Sequence, residues 1–348
     1  ALYKIIDGSP LKGDQPLTPT LKAPDGRPIY NQTGRNTYKG GLYTEGGGER
    51  EVVSVAFSRY FNDGDGSFTI GYTNQNIDEL SGMASTTANS SYGKYAASDY
   101  NNRTAQRSIY ETEHRLFATM SSTHYFLGAD KPTTFNLYFE RKSGLPGTYS
   151  WDTYTSRNYG GTAYQREAFG YEKNLNDDSS HLIYVPTGLT DPNVCWGSCA
   201  GAPDLAIANQ VLDMLYNQLG LASYAGQIVP NGVYEYPWQT SLDLKITQIL
   251  PGFRAEDEFV ISLGIENLLN LIDSDNGEIK YGPYNGKMAV LDMYMSDDFS
   301  KYIYPNYKGR GYPDWAYGFN QNNPKGIRKS AVNSIWRAQL GFTYKFSF

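Results

Sequence analysis

The connections in this chain come in two sizes, and the sizes alternate. Segments in which every second residue is apolar lie at 51–62, 66–76, 112–126, 132–143, 238–250, 257–267 and 334–348. Within a pair the joints are short (63–65, 127–131 and 251–256), whereas between pairs they are long (77–111, 144–237 and 268–333). In the third pair Leu242, Leu244 and Ile246 alternate with Ser241, Asp243, Lys245 and Thr247; in the last segment Trp336, Ala338, Leu340, Phe342, Tyr344, Phe346 and Phe348 share one parity. A period of two is that of a strand, whose successive side chains point to opposite faces. Each segment thus predicts one greasy and one hydrophilic face.

Structureless loops longer than about 12–15 residues are uncommon in compact domains, and nothing there makes every second one long. A membrane-spanning antiparallel barrel supplies a reason, because turns on one side of the bilayer are short and loops on the other are long. Counting "ALYKIID" at 1–7 as a strand brings the total to eight, and the parity sends the last strand down to the short-turn, periplasmic side. No run of about 18 apolar residues is present, which excludes a spanning helix but not barrel strands of about 9–11 residues. The start "ALYKIIDGSP" has no leader pattern, so the expectation is either a removed signal peptide or an internal start.

Composition agrees with many strands and turns: 31 Tyr and 36 Gly in 348 residues, with a mean hydropathy of −0.53. Thirty Lys and Arg against 36 Asp and Glu leave a net charge of −6, which offers no general attraction for nucleic acid.

The insertions read as polar and rich in Tyr, Asn and Gly, with one exception. Leu205, Ala208, Val211, Leu212, Leu215 and Leu219 recur at helical spacing behind Asp204, which predicts a loop helix over 203–219. The stretch 287–305 reads as a possible hairpin and is placed inside the last long loop to keep the parity. Cys195 and Cys199 are the only cysteines, and their C-x3-C spacing reads as a local disulfide, a free dithiol or, with further ligands, a metal pair. His114 and His124 share a face ten residues apart, about 33 Å of strand, too far to share a metal. They are expected to mark the two levels bounding a stripe of Leu116, Ala118 and Met120. With His181 in a loop, no catalytic constellation is assembled, and no enzyme activity or cofactor is expected. "NDGDG" and "DSDNGE" lack full calcium-loop spacing and read as turns.

"PWQTSLDLKITQILPGF" (237–253), "FVISLGIENLLNLIDSDNG" (259–277) and "SIWRAQLGFTYKFSF" (334–348) resemble the last barrel strands of TonB-dependent outer-membrane receptors, with a spacing most similar to the Oar-like subfamily. "TEHRLFATMSSTHYF", "TTFNLYFERKSGLPGTYSW" and "SSHLIYVPTG" extend the resemblance more weakly upstream, over roughly residues 50–348. The resemblance implies that residues 1–348 are the C-terminal part of an all-β transmembrane barrel in the cell outer membrane, about eight strands of roughly 22, without the plug domain through which TonB is contacted. It implies that Tyr344, Phe346 and Phe348 act as the C-terminal signal read by the barrel-insertion machinery. The expected partners are outer-membrane lipid, that machinery and an unknown extracellular ligand held by residues not assigned. The expected function is ligand capture and uptake, with adhesion or anchoring, or a complete eight-stranded barrel, as alternatives.

Overall fold

The computed structural model of the chain describes residues 2–7, 15–16, 19–30, 39–43, 46–80, 91, 96–152, 158–159, 162–163, 169, 181–254, 256–282, 286–305 and 326–346. Seven long strands form one antiparallel sheet. They are β1 (Glu49–Phe61), β2 (Gly66–Glu79), β3 (His114–His124), β4 (Thr133–Lys142), β5 (Gln239–Pro251), β6 (Glu258–Glu266) and β7 (Arg337–Lys345). Their order in space is their order in the chain, so the sheet is a plain meander. A short strand, Gln106–Arg107, adds to the end of β2 at Asp78 and Glu79. Among the described residues, β1 and β7 each pair on one side only.

All three short turns lie at one end of the sheet. In the first, Asn62 (φ 52°), Asp63 (φ 54°) and Gly64 (φ 104°) are all left-handed. Asn, Asp and Gly are the residues that tolerate that region, which is why "NDG" can reverse the chain so tightly. In the third, the Gly252 amide donates to the Asp257 carbonyl at 2.8 Å. The three long insertions all leave from the opposite end.

Two expectations are corrected. Leu2–Asp7 is a strand but not the eighth member of the large sheet; it pairs with Lys39–Tyr43 and Gln15–Pro16 in a separate three-stranded sheet. Its register runs from Leu2 opposite Tyr43 to Ile6 opposite Lys39, so its hydrogen bonds are spent ahead of Glu49 and none reaches β1.

The second correction concerns the insertions, which carry most of the buried core rather than being polar loops. Trp151, Trp196, Tyr302, Tyr304, Ile183, Val185, Val211 and Leu215 form one cluster and are almost wholly shielded from solvent. Strand Pro146–Asp152 runs parallel to Lys287–Asp292, and Val194–Trp196 runs parallel to Tyr302–Tyr304, which locks the second insertion to the third. The stretch 287–305 is thus no simple hairpin: only Tyr294–Met295 folds back on Tyr302–Tyr304, while Lys287–Asp292 pairs elsewhere.

The first insertion and the hairpin of Pro19–Lys22 with Pro28–Tyr30 join the same lobe. Tyr30 donates its hydroxyl to Asp99 at 2.7 Å and its amide to the Phe169 carbonyl at 2.9 Å. Helix α1 (Leu205–Asp213) forms where predicted, with the Asp204 carboxylate accepting from the amides of Ala206 and Ile207, and continues as a π-turn over Met214–Gln218. A second short helix, α2 (Leu268–Ile272), follows β6 after a left-handed Asn267.

Candidate functional site

The pairing register sorts the sheet into two chemically opposite faces. Phe68, Met120, Leu137, Leu244, Ile265 and Ala338 lie opposite one another in a single row across six strands. Phe57, Ile70, Ala118, Phe139 and Leu242 form the next row toward the insertion end. Nothing described covers this face. Val53 (69%), Val55 (65%), Phe57 (60%), Leu340 (58%) and Phe342 (62%) remain largely exposed. Soluble monomers rarely expose contiguous apolar patches beyond a few hundred Å². This face therefore calls for an apolar environment.

Aromatic groups bound the apolar rows at both ends. On the insertion side the His114 ring stacks on Tyr72 (6.1 Å) and on Trp238 (5.9 Å), with the Arg141 guanidinium 5.5 Å from the Trp238 ring. On the turn side His124 stacks on Phe126 (5.2 Å) and meets the Phe135 ring edge-on at 5.9 Å. His114 and His124 thus mark two levels of one strand, separated by the apolar rows.

The opposite face is mostly polar, with Val52, Phe117, Ile249 and Val260 as apolar exceptions. Hydroxyl pairs cross the strands at Ser54–Thr73 (3.0 Å), Ser58–Thr69 (2.8 Å) and Thr123–Thr134 (3.0 Å). Arg115 donates to Glu140 at 2.7 Å, and Glu140 also meets Lys142 at 3.2 Å. Thr119, Asn136, Tyr138, Asp243 and Lys245 line a shallow depression in mid-sheet. Such pairs satisfy polar groups without closing the surface over them.

At the junction of sheet and lobe, Arg107 joins three carboxylates: Glu111 at 2.5 Å, Glu113 at 2.8 Å and Glu235 at 2.7 Å. Burial, together with the neighbouring Glu235, raises the Glu113 carboxyl above the usual carboxylate range, against the pull of Arg107. Burial also opposes ionisation of Glu235, but its hydrogen bonds with Arg107 and Glu113 prevail and hold it below that range. Glu235 therefore carries the anionic charge facing Arg107 more firmly than Glu113 does.

Cys195 and Cys199 are bonded to each other, with 5.1 Å between their Cα atoms. The bridge ends the strand Val194–Trp196 beside Tyr302–Tyr304, where Trp196 stacks on Tyr304 at 5.7 Å and donates its indole N–H to the Leu189 carbonyl. Among the described residues no group of three or more His, Cys, Asp or Glu is arranged for a metal. In the "DSDNGE" turn the Asp273 carboxylate accepts from the Asp275 amide and the Asn276 side chain.

Of the three terminal aromatic residues singled out in the sequence, Tyr344 and Phe346 pack together on the turn side with rings 5.2 Å apart, and Phe348 lies outside the described residues. Sequence reasoning missed Arg27, which is buried with its guanidinium 4.6 Å from the Trp151 ring, paired with Asp25 and donating to the Leu182 carbonyl. It also missed Arg107. Asp25, Glu111 and Glu113 lie close to these arginines in sequence, but Trp151, Leu182 and Glu235 come from distant segments, and no periodic pattern announces either arginine. No protein family, curated protein or solved structure matches this chain.

Proposed function

We propose that the seven-stranded sheet is an arc of an outer-membrane β-barrel of the TonB-dependent receptor kind, taking up a ligand captured by the insertion lobe. The observation that carries the reading is the uncovered apolar face, whose two rows together reach all seven strands, interrupted on β1 by Arg59 opposite Phe68, and which is bounded at both ends by aromatic rings. Its height fits. Ten residues of β3 separate His114 from His124, about 33 Å of strand, which at a tilt of about 35–45° corresponds to the roughly 25 Å apolar band of outer-membrane barrels.

The hydroxyl, Asp243, Lys245 and Glu140 face then lines a wet interior or a plug surface, since these groups would crowd a narrow closed barrel. In lipid each edge strand needs a partner, so β1 and β7 would each pair with a further strand of a larger barrel. The lobe, on the side of the long insertions, would face the exterior and meet the ligand.

The test places one NBD-labelled cysteine at Leu244 or at Lys245, the two native cysteines being bonded to each other, in protein inserted into vesicles containing lipids spin-labelled near mid-chain. Strong quenching at 244 with little at 245 is the expected result. Equal quenching at the two positions overturns the proposed lipid face.

A further inference from the structure

The lobe contains a cavity of about 690 Å³ between the disulfide loop and the segment that faces it. One wall is the backbone and side chains of Gly197–Ala200, held in place by the Cys195–Cys199 bridge. The other is contributed by Tyr294, Met295, Ile303 and Pro305, with Asp297 and Asp298 at the exposed rim. Small-molecule sites are typically clefts of roughly 300–1,000 Å³ with mostly apolar walls and a few fixed polar groups. This one has that character.

Its walls are held from behind. Val194–Trp196 pairs with Tyr302–Tyr304, Gly197 donates its amide to the Tyr304 carbonyl at 2.8 Å, and Tyr294–Met295 pairs with Ile303 and Tyr302. The Asp298 carboxylate is fixed by the Ser296 hydroxyl at 2.6 Å and the Ser300 hydroxyl at 2.7 Å. Those hydrogen bonds push its pKa down to about 2, so it stays anionic. None of the described lining residues is basic. An apolar, polarizable wall of tyrosine and methionine beneath an anionic rim matches a cation that carries an apolar body.

We propose that this cavity binds a small organic cation with an aromatic or aliphatic body, the apolar part against Tyr294, Met295 and Ile303 and the ammonium at Asp298. The proposal concerns the lobe alone and stands whether or not the sheet contacts lipid. The bridge makes the site dependent on the oxidised state of Cys195 and Cys199.

Three peptide amides of matched size serve as probes on the full chain: N-acetyl-Phe-Lys-amide, its norleucine counterpart and its glutamate counterpart, with binding followed by ligand-observed NMR. The lysine probe should bind at least three- to tenfold tighter than the norleucine probe, and the glutamate probe weakest, because exposed ion pairs contribute only modestly. Asp298→Asn should remove the preference for lysine, and Ala200→Trp, a change at an exposed wall position, should abolish binding of every probe. Hydrogen-exchange protection of the Val185 and Val229 amides, which donate to Gln227 and Ile183 away from the cavity, reports that the lobe stays folded in both variants. Equal affinity for all three probes, no binding of the lysine probe to the folded wild-type chain, or undiminished binding in folded Ala200→Trp overturns the proposal.

Discussion

Tyr344 on the last strand donates its hydroxyl to Asp257 at 2.6 Å and accepts the Phe253 amide at 2.8 Å. It is thereby tied to the turn that precedes the neighbouring strand, and its ring stacks on Phe253 at 5.5 Å. An aromatic residue near the end of the chain thus has a structural role of its own beside any recognition role. Removing the hydroxyl while keeping the ring isolates that role. Tyr344→Phe and Asp257→Asn should each lower the urea midpoint of the protein, and the double variant should lose less than the sum of the two. Additive losses would mean that the two side chains do not stabilise each other.

Leu244 and Lys245 are neighbours in β5 with opposite fates. Leu244 stands between Leu137 and Ile265 in the apolar row, and Lys245 stands between Asn136 and Gly264. If the apolar row faces lipid, Leu244→Arg costs about 2–4 kcal/mol near the bilayer midplane and Lys245→Ala far less. A folding titration into vesicles reads both, and equally mild effects would reverse the face assignment.

The bridge between Cys195 and Cys199 predicts a labelling pattern. Denatured protein should take up no thiol reagent without reductant and two equivalents after it. Cys195→Ser with Cys199→Ser should destabilise the lobe by roughly 2 kcal/mol, the loop-entropy value for so short a ring.

His181 provides the pH dependence. It is fully buried against Phe169 (ring centroids 4.4 Å apart) and Tyr100 (5.4 Å). Burial first, and the charges of Arg27 and Lys287 second, hold its pKa well below the usual 6.5. In the unfolded chain the imidazole takes a proton at an ordinary pH, whereas in the folded lobe it stays neutral. The unfolded state therefore binds more protons below about pH 6.5, and stability falls as pH drops from there, by at most about 1.4 kcal/mol per unit for this one group. His181→Gln, which cannot titrate, should flatten that slope in urea unfolding monitored by lobe tryptophan emission. An unchanged slope would locate the acid sensitivity elsewhere.

The large sheet was readable because it obeys one local rule. In Leu242, Asp243, Leu244 and Lys245 each residue announces its own face, and the register then aligns like with like. Asp204 followed by apolar residues at helical spacing was readable for the same reason. The lobe obeys no such rule. Trp151, Trp196 and Tyr302 come from segments over 100 residues apart in their extremes, and none belongs to a long periodic run. Tyr, with a polar end and an apolar body, reads as surface in a sequence and as core in the fold, as the fully buried Tyr302 and Tyr304 do. Leu2–Asp7 was read correctly as a strand and wrongly as part of the large sheet, because alternation specifies a strand's faces but not its neighbour.

The parallel pairing of Pro146–Asp152 with Lys287–Asp292 imposes an order of events. The first partner leaves β4 and the second arrives only after β5 and β6 have been made, some 140 residues of chain later. Each hairpin can close from local contacts, but the lobe's core cannot, since its interior requires closure of the longest loops in the chain. Closing those loops costs more chain entropy than closing a hairpin, so burial of Trp151 and Trp196 reads long-range closure separately from the local pairing of the strands.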